Sequence, residues 1–138
     1  MDRIKFDARW VPRMLSVMRI VAGFLFMEHG GAKLFNFPPV PDPMPHLPPL
    51  MVVAGVLECF GGLLVLLGLF TRPVSFILAG EMAVAYSLEH APRGFWPMLN
   101  DGELALLYCF VFLYLAAAGS GAWSLEGIWH STADGSAL

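Results

Sequence analysis

The chain has 138 residues, the length of one domain, yet 57% of them are hydrophobic and only 14% charged; so few charges cannot cover that much apolar surface in water. The formal net charge of -3 comes without any basic run, which excludes phosphate tracking and with it nucleic-acid binding. The apolar solvent must be the lipid bilayer, so the chain reads as an all-α polytopic membrane protein, a four-transmembrane-helix bundle with a single domain over 1–138.

A helical span needs about 20 mainly apolar residues. The first is expected over 13–35, with Pro12 suited to a first helical turn. The segment Pro38 to Pro49, PPVPDPMPHLPP, lacks too many amide donors for helix or inner strand and reads as an extended outer loop. The second span is expected over 50–70. A short Thr71-Arg72-Pro73 turn makes the third, 74–91, its antiparallel neighbour. The loop PRGFWPMLNDG ends that span, the fourth runs over 103–119, and a cytoplasmic tail over 120–138 forms an interfacial turn or short helix before disorder.

Arg3, Lys5, Arg9, Arg13 and Arg72 fall on one side of these spans, against Lys33 and Arg93 on the other. The positive-inside rule then places both termini in the cytoplasm. Trp10, Trp96, Trp123 and Trp129 flank the spans, as aromatic belts do. Cys59 and Cys109 lie in apolar stretches, where cysteine acts as a small hydrophobe. No Rossmann glycine fingerprint, P-loop, HExxH or CxxC motif occurs.

Charges at bilayer depth cost about 2.5 to 3.5 kcal/mol each, so they are paired, hydrated or functional. Arg19, Glu58 and Glu81 are those to explain. Arg19 shares a helical stripe with Gly23, Phe26, Gly30 and Lys33, while Gly55, Glu58 and Gly62 repeat that spacing, and such glycines admit a close neighbouring backbone. Small residues, Ala79, Gly80, Ala83 and Ala85, surround Glu81. All three charges are expected to face the bundle interior, with Arg19 bonded to Glu81, Glu58 or both. Two readings stay open: a salt bridge that fixes packing, or a polar ligand pocket.

A second cluster is expected at the outer end, where Glu28, His29 and Lys33 close the first span, Glu89 and His90 close the third, and Glu103 opens the fourth. His46 lies in the proline-rich loop. The histidines lack metal-ligand spacing, so the cluster of His29, Lys33, His90 and Glu103 reads as polar helix ends or as the head of a site for a small quinone-type ligand, walled by Phe95, Trp96 and Tyr108. Interface anchoring is the competing role for those aromatics.

The segments RIVAGFLFMEHGGAKLF, GVLECFGGLLVLLGLFTRP and HAPRGFWPMLNDGELALLYCFVFLYLAAAGSGAWSLE together resemble the DoxX family of small four-helix membrane proteins, from Met14 to Leu125. Arg19, Gly23, His29, Gly30, Lys33 and Leu34 look like its opening signature. The resemblance implies a membrane subunit or accessory of a quinone-linked oxidoreductase system, with quinone as the ligand and a redox enzyme as partner. No metal, haem or flavin is expected in this chain, since no ligand set for one is legible. A bundle this small buries little surface per helix, which points to a homodimer or a complex. A small-molecule transporter lined by Arg19, Glu58 and Glu81, and a non-catalytic scaffold recruiting enzymes through its tail, are the rival functions.

Overall fold

The computed structural model describes residues 7–134, so Arg3, Lys5 and residues 135–138 of the tail lie outside the described residues. Within 7–134 the chain is all-helical, without strands. Helix α1 is Trp10–Phe35, carries Pro12 in its first turn and stops at Asn36, whose left-handed backbone lets its amide bond back to Ala32. After the prolines of the outer loop, α2 runs Pro49–Leu67 with a π-helical turn at Leu57–Gly61. Gly68, at φ +70, ends it, three residues before the expected boundary.

Helix α3 covers 71–90, starting at Thr71 rather than 74 and finishing in a second π turn, Tyr86–His90. Helix α4 is Glu103–Ala118 and ends at Gly119, φ +89. The tail expectation of a short helix is met by α5, Leu125–Asp134.

The helices assemble as two hairpins, α1 with α2 and α3 with α4, joined through α2 against α3. Glycine sets the first seam. A Cβ on Gly30 would lie 2.2 Å from the Cys59 amide nitrogen, and one on Gly23 2.6 Å from that of Leu66. Gly62 faces Met27 as tightly, at 2.7 Å. Backbone meets backbone here, and no larger residue fits. The second hairpin is held by side chains instead: Leu78, Ala79 and Met82 of α3 pack on Ala105, Cys109, Phe112 and Leu115 of α4, with Phe26 of α1 reaching into the same core.

Arg19 and Glu58 are buried inside, whereas Phe24, Phe60, Phe76 and Phe110 are exposed. That inversion of the soluble pattern is stable only where the surroundings are apolar. By length and composition α1 and α2 can each cross a membrane. At 16 residues α4 is apolar but short, and α3 dilutes its apolar run with Arg72, Glu81 and Glu89.

Candidate functional site

The expected Arg19, Glu58 and Glu81 cluster does not form. Arg19 is 1% exposed, so it faces inward as expected. Its guanidinium, however, donates to four backbone carbonyls: Ser120 at 2.8 Å, and Val65, Leu66 and Trp123. Two of these close α2, where orphan carbonyls and the negative end of the helix dipole favour a cation. The other two belong to the segment that leads from α4 to α5. Ser16 completes the node by accepting the Trp123 amide at 2.9 Å. Five donors in a fixed fork suit an array of carbonyls better than a single carboxylate does.

The acids instead join the outer cluster. Lys33 Nζ donates to Glu58 Oε1 at 2.5 Å, and Glu58 is 3% exposed. Glu58 Oε2 and both oxygens of Glu81 are buried without a hydrogen-bond partner. These groups border a cavity of about 490 Å³ between α1, α2, α3 and α4. That size is ordinary for a small-molecule site. Its walls are mainly apolar, including Phe26, Leu57, Ile77, Leu88 and Ala105, and its polar groups are Lys33, Glu58, Glu81, His29, Tyr108, Glu89, His90 and Asp101.

Tyr108 lines the cavity from α4. Its ring packs on Phe26 at 5.1 Å and Phe112 at 5.8 Å, and His29 meets it edge-on at 6.2 Å. The cavity therefore unites His29, Lys33, His90 and Tyr108 with Glu58 and Glu81, two groups that sequence reasoning kept apart. Glu103 and Trp96 do not line it. Glu103 is exposed in the first turn of α4, and Trp96 is 65% exposed with its ring on Phe95 at 5.1 Å. Among the described residues no group of three or more His, Cys, Asp or Glu side chains is placed to hold a metal ion, and Cys59 and Cys109 are free thiols.

Sequence reasoning missed two contributors. Both π turns supply cavity residues, Leu57 and Glu58 from one, Leu88, Glu89 and His90 from the other. An inserted residue re-aims side chains, and such turns gather at functional sites. Asn100 is the second. Fully buried, it donates to Gly94 O at 2.8 Å and Tyr86 Oη at 3.3 Å and accepts the Gly102 amide at 2.9 Å. His90 Nδ1 lies 3.0 Å from its carbonyl oxygen, so Asn100 fastens the loop beside the cavity. The Asn-Asp-Gly turn was its legible signal.

An apolar exterior, glycine-sealed helices and a cavity with charges at one end define a helical membrane protein with a candidate small-molecule site. The profile of the DoxX family matches residues 14–91, and the chain belongs to that family. It is 44% identical over 129 residues to an uncharacterized protein of Haemophilus influenzae, covering 86% of this chain and 92% of that one. It is 30% identical over 132 residues to the inner membrane protein YphA of Escherichia coli, covering 83% of this chain and 89% of the relative. An uncharacterized membrane protein of Mycobacterium tuberculosis is 28% identical over 132 residues, covering 83% and 80%. No solved structure matches the chain.

Proposed function

We propose that this protein crosses the bacterial inner membrane four times, with both termini cytoplasmic, and binds a small amphipathic ring compound of the quinone type as a subunit or accessory of a quinone-linked oxidoreductase system. The observation that carries the reading is the 490 Å³ cavity, apolar over most of its wall and polar where Lys33, Glu58, Glu81, His29 and Tyr108 gather. Apolar walls suit a ring and tail, and a few grouped polar side chains orient a head. The even number of crossings is supported by the Ala122 amide, which donates to Pro12 O at 3.0 Å and so ties the start of α1 to the segment after α4. A partner supplies the redox centre, because no redox motif occurs in this sequence. Homo-oligomers are the second assembly to seek, by native mass spectrometry.

Transport along Arg19, Glu58 and Glu81 loses support, since Arg19 is saturated by carbonyls and does not line this cavity. Gly80 gives the test. It lines the cavity, and a Cβ built there meets nothing within 4 Å. Gly80→Leu should therefore fill the cavity without disturbing the fold. Mass spectrometry of purified wild type is expected to find a co-extracted quinone, and the Gly80→Leu protein, melting no lower, is expected to lose it. Absence of quinone and hydroquinone from both, with neither form binding when added, would refute the reading and favour a non-catalytic scaffold. Reporter fusions test the topology: one after Leu138 should report cytoplasm, and one between Pro38 and Pro49 the outer side.

A further inference from the structure

Quinone and hydroquinone share a ring but differ at the head: two carbonyls only accept hydrogen bonds, whereas two hydroxyls also donate them. Glu58 Oε2 and Glu81 Oε1 and Oε2, three buried oxygens, have no partner. Lys33 gives one of its three N–H groups to Glu58 Oε1, and none of them reaches these three oxygens. Buried polar atoms without partners are costly and rare. With both acids ionised the three oxygens are acceptors only, and a single proton shared between the two carboxyls would pair two of them and still leave one acceptor open. Glu58 and Glu81 both border the cavity, so a molecule seated there is the partner that can supply the missing donors.

From this we propose that the cavity selects a hydroxyl-bearing ring, a hydroquinone or a related phenol, over the corresponding acceptor-only quinone, and that Glu81 is the residue that sets the preference. This rests on the ring-binding function given above and adds the redox form of the ligand. Glu58 is committed on one oxygen to Lys33, whereas Glu81 has both oxygens open to a hydroxyl. Ring hydroxyls donating to a carboxylate form charge-assisted hydrogen bonds, among the stronger ones available in a dry site. A quinone carbonyl beside the same carboxylate sets acceptor against acceptor and satisfies neither. Gln at position 81 would offer one donor and one acceptor, so it would suit either ring form.

The test is a binding comparison on the full-length protein in nanodiscs, with a short-chain benzoquinone and the hydroquinone made from it by reduction, the latter kept under an anaerobic atmosphere. Wild type is expected to hold the hydroquinone about tenfold more tightly or better, the ratio carried by one charge-assisted hydrogen bond. Glu81→Gln, with an unchanged melting profile, is expected to bring the two affinities within about threefold of each other, chiefly by gaining affinity for the quinone. Equal or tighter binding of the quinone by wild type would overturn the selectivity while leaving ring binding intact. So would a Glu81→Gln protein that keeps the wild-type ratio, or displacement of bound hydroquinone by an equimolar alkylammonium, which would mark the acids as a cation site. Failure of both ring forms to bind would remove the function together with its selectivity. The wild-type comparison needs no variant, so a Glu81→Gln protein that failed to fold would still leave the preference decided.

Discussion

Two buried charge clusters sit toward opposite ends of this bundle, and they differ in how fully their hydrogen bonds are made. At Arg19 every group has a partner: the guanidinium spreads over four carbonyls, Ser16 accepts an amide, and Gly68 approaches so closely that a Cβ there would come within 3.0 Å of the guanidinium carbon. At Glu58 and Glu81 the one ammonium reaches a single oxygen of Glu58, and three oxygens are left over beside the cavity. The first pattern is that of a structural clasp, and the second is the one on which the proposed ligand site rests. Burial of a charge alone does not separate the two roles; saturation does.

The largest effect is expected at Arg19. Arg19→Met removes a donor from four carbonyls; Val65 O keeps the Gly68 amide and Ser120 O the Ser16 hydroxyl, and at about 1 to 3 kcal/mol for each buried acceptor left unpaired the loss should reach roughly 3 to 5 kcal/mol. The expected outcome is a protein that fails to accumulate or melts far below wild type in detergent. Stable, monodisperse Arg19→Met protein would show that the clasp is dispensable.

Next comes Lys33→Met, which leaves Glu58 buried without its ammonium and should cost about 3 kcal/mol. Adding Glu58→Gln should restore part of that loss, and the double-mutant cycle measures the coupling. Independent, additive losses would mean that the pair is not formed.

A smaller loss is expected from Gly30→Ala, about 1 to 3 kcal/mol, because its methyl group would meet the Cys59 backbone. Chemical denaturation of the same preparation gives the comparison with Gly80→Ala, where open space and better helix propensity predict no loss or a gain of up to about 1 kcal/mol. Equal behaviour at the two glycines would contradict the glycine seam between α1 and α2.

The smallest effect belongs to Glu103→Gln. This exposed side chain lies outside the cavity, so both ligand affinity and melting temperature should stay at wild-type values, within about 0.5 kcal/mol. A clear loss of binding would return Glu103 to the site from which the structure separates it.

Much of the helix pattern was legible, because long apolar runs, proline-rich breaks and glycine stops act locally. The stripe of Gly23 and Gly30 on α1 and Gly62 on α2 even announced which helix faces approach closely, since only glycine tolerates that distance. Side-chain chemistry also singled out the right charged residues as inward-facing: Arg19 and Glu58 are both among the most buried polar groups. Their partners were not legible. Helical rise gave Arg19 and the acids similar depths, but depth leaves the angle around the bundle open, and backbone carbonyls, which every residue carries, leave no mark in a sequence as the preferred acceptors of a guanidinium. The π turns at Leu57–Gly61 and Tyr86–His90 are likewise invisible to a regular 3.6-residue period, yet they shift the residues beyond them around the helix axis. By itself, then, the sequence determined that this is a helical membrane protein with charges turned inward, because solvation and backbone sterics are read residue by residue. Only the tertiary structure decided that Arg19 is a clasp while Lys33, Glu58 and Glu81 border one cavity, because a hydrogen bond depends on where four separate helices bring their atoms.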